Sequence, residues 1–257
     1  MRKTVSYLLC AVLGILVGLT GFKVFLGFVQ YQESAKFYDT LVKEVVTPVA
    51  PQRALESTEQ PKVYTPWNKL ITVDLESLQE TNPDVVGWVF FEDIDISYPV
   101  VHSRSNTKYL YKLYNGTENN SGSIILESTN SPFFTDKHSI LYGHNMKDLS
   151  MFGKLKFYQQ KKGYLKKHKF FQVFTNTQIY RFQIVKFEET TKNSKLYQTQ
   201  FEDSVDFNNF RDEFLAPEGV KVPETPFEQW VTLSTCYGGN QRFTVTAVCV
   251  DTIGRIP

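Results

Sequence analysis

Thr232-Leu233-Ser234-Thr235-Cys236-Tyr237-Gly238-Gly239-Asn240-Gln241-Arg242-Phe243-Thr244-Val245-Thr246-Ala247-Val248-Cys249-Val250 is the stretch that decides the architecture. Its second half alternates, so that Val245, Ala247 and Cys249 share one face. Gly238, Gly239 and Asn240 tolerate positive φ, which is what a tight hairpin needs. Two antiparallel strands are therefore expected, over Gln229 to Cys236 and Arg242 to Val250. If Gly238, Gly239 and Asn240 form a three-residue loop, Tyr237 pairs with Gln241 and Cys236 lies opposite Arg242, with Cβ atoms about 4.5–5.5 Å apart. Cys249 then reads as a small core residue. Cys236 beside Arg242 leaves two readings open. One is a sheet-edge arginine next to a buried cysteine; the other is a guanidinium that stabilises a thiolate or the oxyanion of an acyl transfer.

Working outward, the chain reads as further short, turn-bounded strands: Val86 to Phe91, Ile94 to Val101, Gly122 to Glu127, Ser139 to His144, Lys169 to Thr175 and Gln178 to Phe187. Asp74 is placed to cap a short helix through Leu75 and Leu78, which Asn82-Pro83 ends. Helices are also expected over Met151 to Tyr158 and Ser204 to Leu215, the latter carrying Phe207, Phe210 and Phe214 on one face as core packing. Eight or so strands with few helices predict a closed barrel or a sandwich rather than a doubly wound sheet. The 15% aromatic content leans the same way. No Gly-rich phosphate loop follows a strand, and no paired-cysteine or His-x-x-x-His spacing points to a metal. No cofactor is implied. With 28 Lys+Arg against 27 Asp+Glu there is no global basic field to gather nucleic acid.

The amino terminus is of another kind. Val5 to Phe22 is 18 residues without a charge, and after Lys23 the apolar run resumes to Val29. As a helix this stretch spans about 37 Å, enough to cross a hydrocarbon core of about 30 Å. It lacks a small-x-small cleavage pattern, so an uncleaved anchor is expected over residues 1–29. Arg2 and Lys3 before the span put the amino terminus in the cytoplasm and the body outside. Cys10 lies inside the span as an inert apolar residue. Glu33 to Val46 reads as a short helix leaving the membrane, and Pro48, Pro51, Pro61 and Pro66 mark a surface linker, so residues 30–66 are expected to form a helical stalk and linker. Residues 67–257 are left as one compact domain.

Of four histidines, His168 sits in a basic run, and His102 and His138 lie in polar, loop-like surroundings. His144 closes an apolar strand, with Ile140 and Tyr142 on its face, after a glycine that lets another chain approach. A structural hydrogen bond and a catalytic role both remain open for it.

Together these residues resemble a family. Tyr-Gly-His-Asn at 142–145, Thr-Leu-Ser-Thr-Cys at 232–236 and Arg242 on the next strand are similar to the sortases, membrane-anchored cysteine transpeptidases of Gram-positive bacteria. Val-Gly-Trp-Val at 86–89, Ile-Ser-Tyr-Pro-Val at 96–100, Gly-Ser-Ile at 122–124 and the helical stretch before the cysteine strand resemble class B. The resemblance implies a mainly β fold: a closed eight-stranded barrel with N-terminal helices and an extra helix before the catalytic strand. It implies Cys236 as nucleophile forming a thioacyl enzyme, His144 as acid and base, and Arg242 as oxyanion stabiliser. Tyr142 and Ser234 match groove positions, and Asn106 and Leu110 match a wall loop. The implied partners are surface proteins or pilins with a C-terminal sorting signal, and a peptidoglycan-precursor or pilin amine as acceptor. The five residues between Cys236 and Arg242 are fewer than in several class B members. A cysteine hydrolase without transfer, and a catalytically silent binding barrel, are the competing readings.

Overall fold

The computed structural model describes residues 2–49 and 66–255. Most of the expected linker falls in 50–65, outside the described residues, as do the side chains of Arg2, Lys3 and Cys10. Helix α1 runs unbroken over Arg2–Val45. Within it, Val12–Val45 includes a window of mean hydropathy 2.2, apolar enough to cross a membrane. It is a single apolar helix, as a single membrane anchor requires. The helix expected over 33–46 is thus the far end of a longer one, and it does not stand free. Ser34, Tyr38, Leu41 and Val45 are all buried, because their i, i+4, i+7, i+11 spacing presents one stripe to the barrel. The chain continues as β1 (Val46–Pro48), which pairs antiparallel with β2 (Ile71–Val73). Asp74 Oδ1 accepts from the Ser77 N–H at 3.0 Å, capping α2 (Leu75–Thr81) as the sequence predicts.

All eight expected barrel strands form. They are β3 (Val85–Phe91), β4 (Ser97–His102), β5 (Ile124–Leu126), β6 (His138–Gly143), β7 (Phe170–Phe174), β8 (Gln178–Thr191), β9 (Trp230–Gly238) and β10 (Gln241–Gly254). The closed order is β10-β8-β7-β3-β4-β5-β6-β9, with β9 returning to β10. Pairing is antiparallel except for β4 with β5 and β6 with β9. These parallel pairs need long crossovers, which run the length of the barrel to return the chain in the same direction. Trp88, Phe91, Phe171, Phe182 and Phe243 are fully buried, each worth roughly 1.5–3 kcal/mol of burial. Cys249 lies among them, fully buried, as its alternation predicts.

The helix expected over 151–158 shrinks to a single turn, α3 (Phe157–Gln160), with α4 (Tyr164–Lys167) after it. Leu149 and Met151 sit at φ 70 and 51, which breaks a right-handed helix at its start. The stretch at 204–215 is helical as α5 (Ser204–Phe210), and then widens into a π-turn over Arg211–Leu215. Phe207 and Phe210 pack with Leu196, Leu215, Trp230 and Val248 in a small second core on the barrel's outer face.

Candidate active site

The site is built where β6, β9 and β10 end side by side. On β9 and β10, Cys236 faces Arg242 and Ser234 faces Thr244. The route to that pairing differs from the expected one. Gln241 pairs with Gly238, so only Gly239 and Asn240 form the loop, and a bulge follows between Gln241 and Arg242. The bulge leaves Tyr237 as the extra residue on β9, which restores the register and keeps Cys236 paired with Arg242. On the other side, the parallel ladder sets Tyr142 against Ser234 and Gly143 against Thr235. One further step brings His144 level with Cys236 on strands about 4.8 Å apart. A β-carbon on Gly143 would stand 2.6 Å from the Phe152 ring and 2.7 Å from Ile124, so only glycine fits there.

His144 Nε2 lies 2.6 Å from the Leu110 carbonyl oxygen. A carbonyl only accepts, so Nε2 carries the proton and Nδ1 keeps the lone pair. The Tyr111 ring stacks on the imidazole at 5.7 Å. Arg242 Nη1 donates to the carbonyls of Gln241 at 2.9 Å and Gly239 at 3.2 Å, which pins the guanidinium beside the turn. Cys236 is exposed. Cys249 is the opposite case: burial pushes its thiol up to about 12.

The wall is a hydrogen-bonded set. Tyr142 OH and Asn106 Nδ2 both donate to Glu127 Oε2 at 2.8 Å, and the Ser128 N–H donates to Asn106 Oδ1 at 2.8 Å. Burial raises the Glu127 carboxyl, but the donors Asn106, Tyr142 and Ser128 outweigh it and hold it below the usual carboxylate range. Burial, together with that carboxylate, pushes the Tyr142 phenol up, so Tyr142 is a neutral donor. Tyr197 OH and Ser234 Oγ lie 2.8 Å apart, and the Tyr197 and Tyr142 rings stack at 6.1 Å.

One cleft of about 260 Å³ is lined by His144, Cys236, Arg242, Tyr142, Ser234, Asn106 and Leu110, so every residue expected at the site reaches it. Lys192 and Tyr197 line it too and were not expected. They arrive from the long β8–β9 connection, where no local pattern marks them. Glu127, the hub of the wall, was equally unmarked. Among the described residues no three His, Cys, Asp or Glu side chains gather as metal ligands.

A cysteine, a histidine and an arginine on three adjacent strand ends, over a groove, is a disposition that can be compared. Residues 90–250 match the sortase domain family. This chain belongs to the sortase family. It is 35% identical over 167 residues to sortase B of Listeria monocytogenes, covering 63% of this chain and 67% of that one. Against sortase B of Staphylococcus aureus the identity is 30% over 183 residues, covering 70% and 75%. The crystal structure of Bacillus anthracis sortase B superposes with a TM-score of 0.68 at 27% identity, covering 87% of this chain and 99% of that one. The chain is thus a class B sortase homologue, a cysteine transpeptidase of the membrane-anchored kind. Sortases of this class cleave after a threonine, hold the acyl group as a thioester and pass it to an amine, anchoring surface proteins to cell-wall precursors.

Proposed function

We propose that Cys236 is the nucleophile of this sortase, His144 its acid and base, and Arg242 its oxyanion partner. The observation that carries this is the register: Cys236 opposite Arg242 on one side and one step beyond the Thr235–Gly143 pair on the other. The Cys236 thiolate attacks the carbonyl after the signal's threonine, forming a C–S bond and a tetrahedral oxyanion beside the guanidinium. Collapse breaks the C–N bond, and His144 gives the departing amine the proton that its Nδ1 took from the Cys236 thiol when the thiolate formed. The acceptor amine then attacks the thioester, His144 takes its proton back, and Cys236 leaves as thiolate. Tyr142, Ser234, Asn106 and Leu110 line the groove for the sorting signal, and the acceptor is a peptidoglycan-precursor amine. Residues 1–29 form the anchor with its amino terminus in the cytoplasm, residues 30–66 the connection, and residues 67–257 the extracellular catalytic barrel.

The test is a panel of sorting-signal peptides, Asn-Pro-Gln-Thr-Asn-like and Pro-x-Thr-Gly-like, offered with a peptidoglycan-stem amine. The expected result is a ligated product from one signal class, with a mass adduct on Cys236 that Cys236→Ala abolishes and Cys249→Ser does not. Free acid alone at saturating amine would make the enzyme a hydrolase, and loss of the adduct in Cys249→Ser would overturn the assignment.

A further inference from the structure

The base of a nucleophile–base pair needs a third group to orient it. For His144 that group is the Leu110 carbonyl, in the 103–123 connection between β4 and β5, which carries no regular element of its own. We propose that the membrane-anchoring helix α1 is a positioning element for His144, acting through Ser34 and Tyr38 on the loop that presents the Leu110 carbonyl. This rests on the reading of His144 as the acid and base.

Three successive turns of α1 hold that loop. The Gln30 carbonyl accepts from Asn119 Nδ2 at 3.2 Å, Ser34 Oγ meets Ser121 Oγ at 2.6 Å, and Tyr38 OH donates to the Gly122 carbonyl at 3.0 Å. Ser34 and Ser121 are both fully buried. An alkyl pair at that position would bury as much surface with less direction, whereas a hydroxyl pair fixes one register between helix and loop. Gly122 is the link onward. It has φ +57, and a β-carbon there would stand 2.4 Å from the Leu110 oxygen and 3.0 Å from His144 Cδ2. The residue whose carbonyl Tyr38 holds therefore lies close against both partners of the His144 hydrogen bond, with no room between them for a side chain. Within the loop, the Ser123 N–H donates to the Tyr109 carbonyl at 3.2 Å and the Asn119 N–H to the Tyr111 carbonyl at 3.0 Å. A displacement at the helix is thus passed to Leu110 and to Tyr111, which stacks on the imidazole. Helix α1 on this account does more than tether: it sets which histidine nitrogen holds the proton.

The experiment uses the full-length chain in lipid nanodiscs, comparing wild type with Tyr38→Phe, Ser34→Ala, the double variant and Ser34→Thr. Tyr38→Phe keeps the ring, edge-on to Tyr98 at 5.1 Å, and removes only the hydroxyl, so folding is retained while the link is cut. The 15N spectrum of histidine side chains is expected to show His144 moving from the Nε2–H form to a mixture of tautomers. At the same time kcat falls about 10-fold with KM for the signal peptide unchanged, and Ser34→Thr restores both. Wild-type kcat and a wild-type His144 tautomer in the double variant, or a fall in kcat with the tautomer unmoved, would overturn the proposal. Failure of the underlying reading looks different: His144→Ala would itself retain turnover.

Discussion

β6 opens on one histidine, His138, and is followed directly by another, His144, in opposite circumstances. His138 is fully buried: its Nδ1 donates to the Gln198 carbonyl at 2.8 Å and its Nε2 accepts from the Thr232 hydroxyl at 2.8 Å. Burial pushes its pKa down to about 4, so the ring stays neutral and both nitrogens are used up. His144 spends one nitrogen on a carbonyl and opens the other to a cleft. The residue type is the same, and both sit at the limits of one strand. What separates the strut from the proposed acid and base is a ring nitrogen left without a protein partner in the cleft that Cys236 also lines.

The largest effect that tests this contrast is mutational. His144→Ala is expected to lower kcat/KM by about 10²–10⁴-fold, with the melting temperature unchanged. His138→Ala should do the reverse, keeping activity per folded molecule while costing about 1–3 kcal/mol of stability, because Thr232 and the Gln198 carbonyl lose their partner. Thermal melts beside steady-state rates read both, and the contrast breaks if His138→Ala removes activity from an enzyme that melts normally. The next effect is in pH. The unfolded chain binds a proton at His138 near 6.5, which the native state refuses until about 4, so protons favour unfolding between those values. That part of the stability is complete above pH 6.5 and falls by roughly 3 kcal/mol as pH drops to 4. Urea titrations across this range should show the loss in wild type and a flatter profile in His138→Gln. The smallest effect concerns the wall: Tyr197→Phe frees Ser234 Oγ from its 2.8 Å partner, and is expected to raise KM for the signal peptide by about 2- to 10-fold while kcat stays put.

The sequence made much of this legible. Strand alternation and turn-favouring residues located all eight barrel strands, although β8 and β10, at 14 residues each, run on past the expected ends at Phe187 and Val250. The Cys236–Arg242 pairing was readable from spacing, although the hairpin reaches it by a bulge, which composition does not reveal. His138 was misread. Asp136 and Lys137 before it are polar, and the partners that bury it, Gln198 and Thr232, come from distant segments. The same distance hid Tyr197 and Lys192. In α1 the stripe of Ser34, Tyr38, Leu41 and Val45 was present, but the serine interrupts its apolar signal, and the segment reads as a stalk until the barrel is seen beside it.

The parallel seam between β6 and β9 also governs when the enzyme comes into being. It joins His138–Gly143 to Trp230–Thr235, so no nearby hairpin can assemble the histidine and the thiol. The pairing must await residues 230–235, about ninety residues after β6, and such long-range closure is slow. A chain halted before residue 230 would hold an open sheet edge at β6 and no cleft. Synthesis of this transpeptidase therefore carries its own safeguard: until β9 and β10 arrive, an unfinished molecule has no cleft in which to bind a signal.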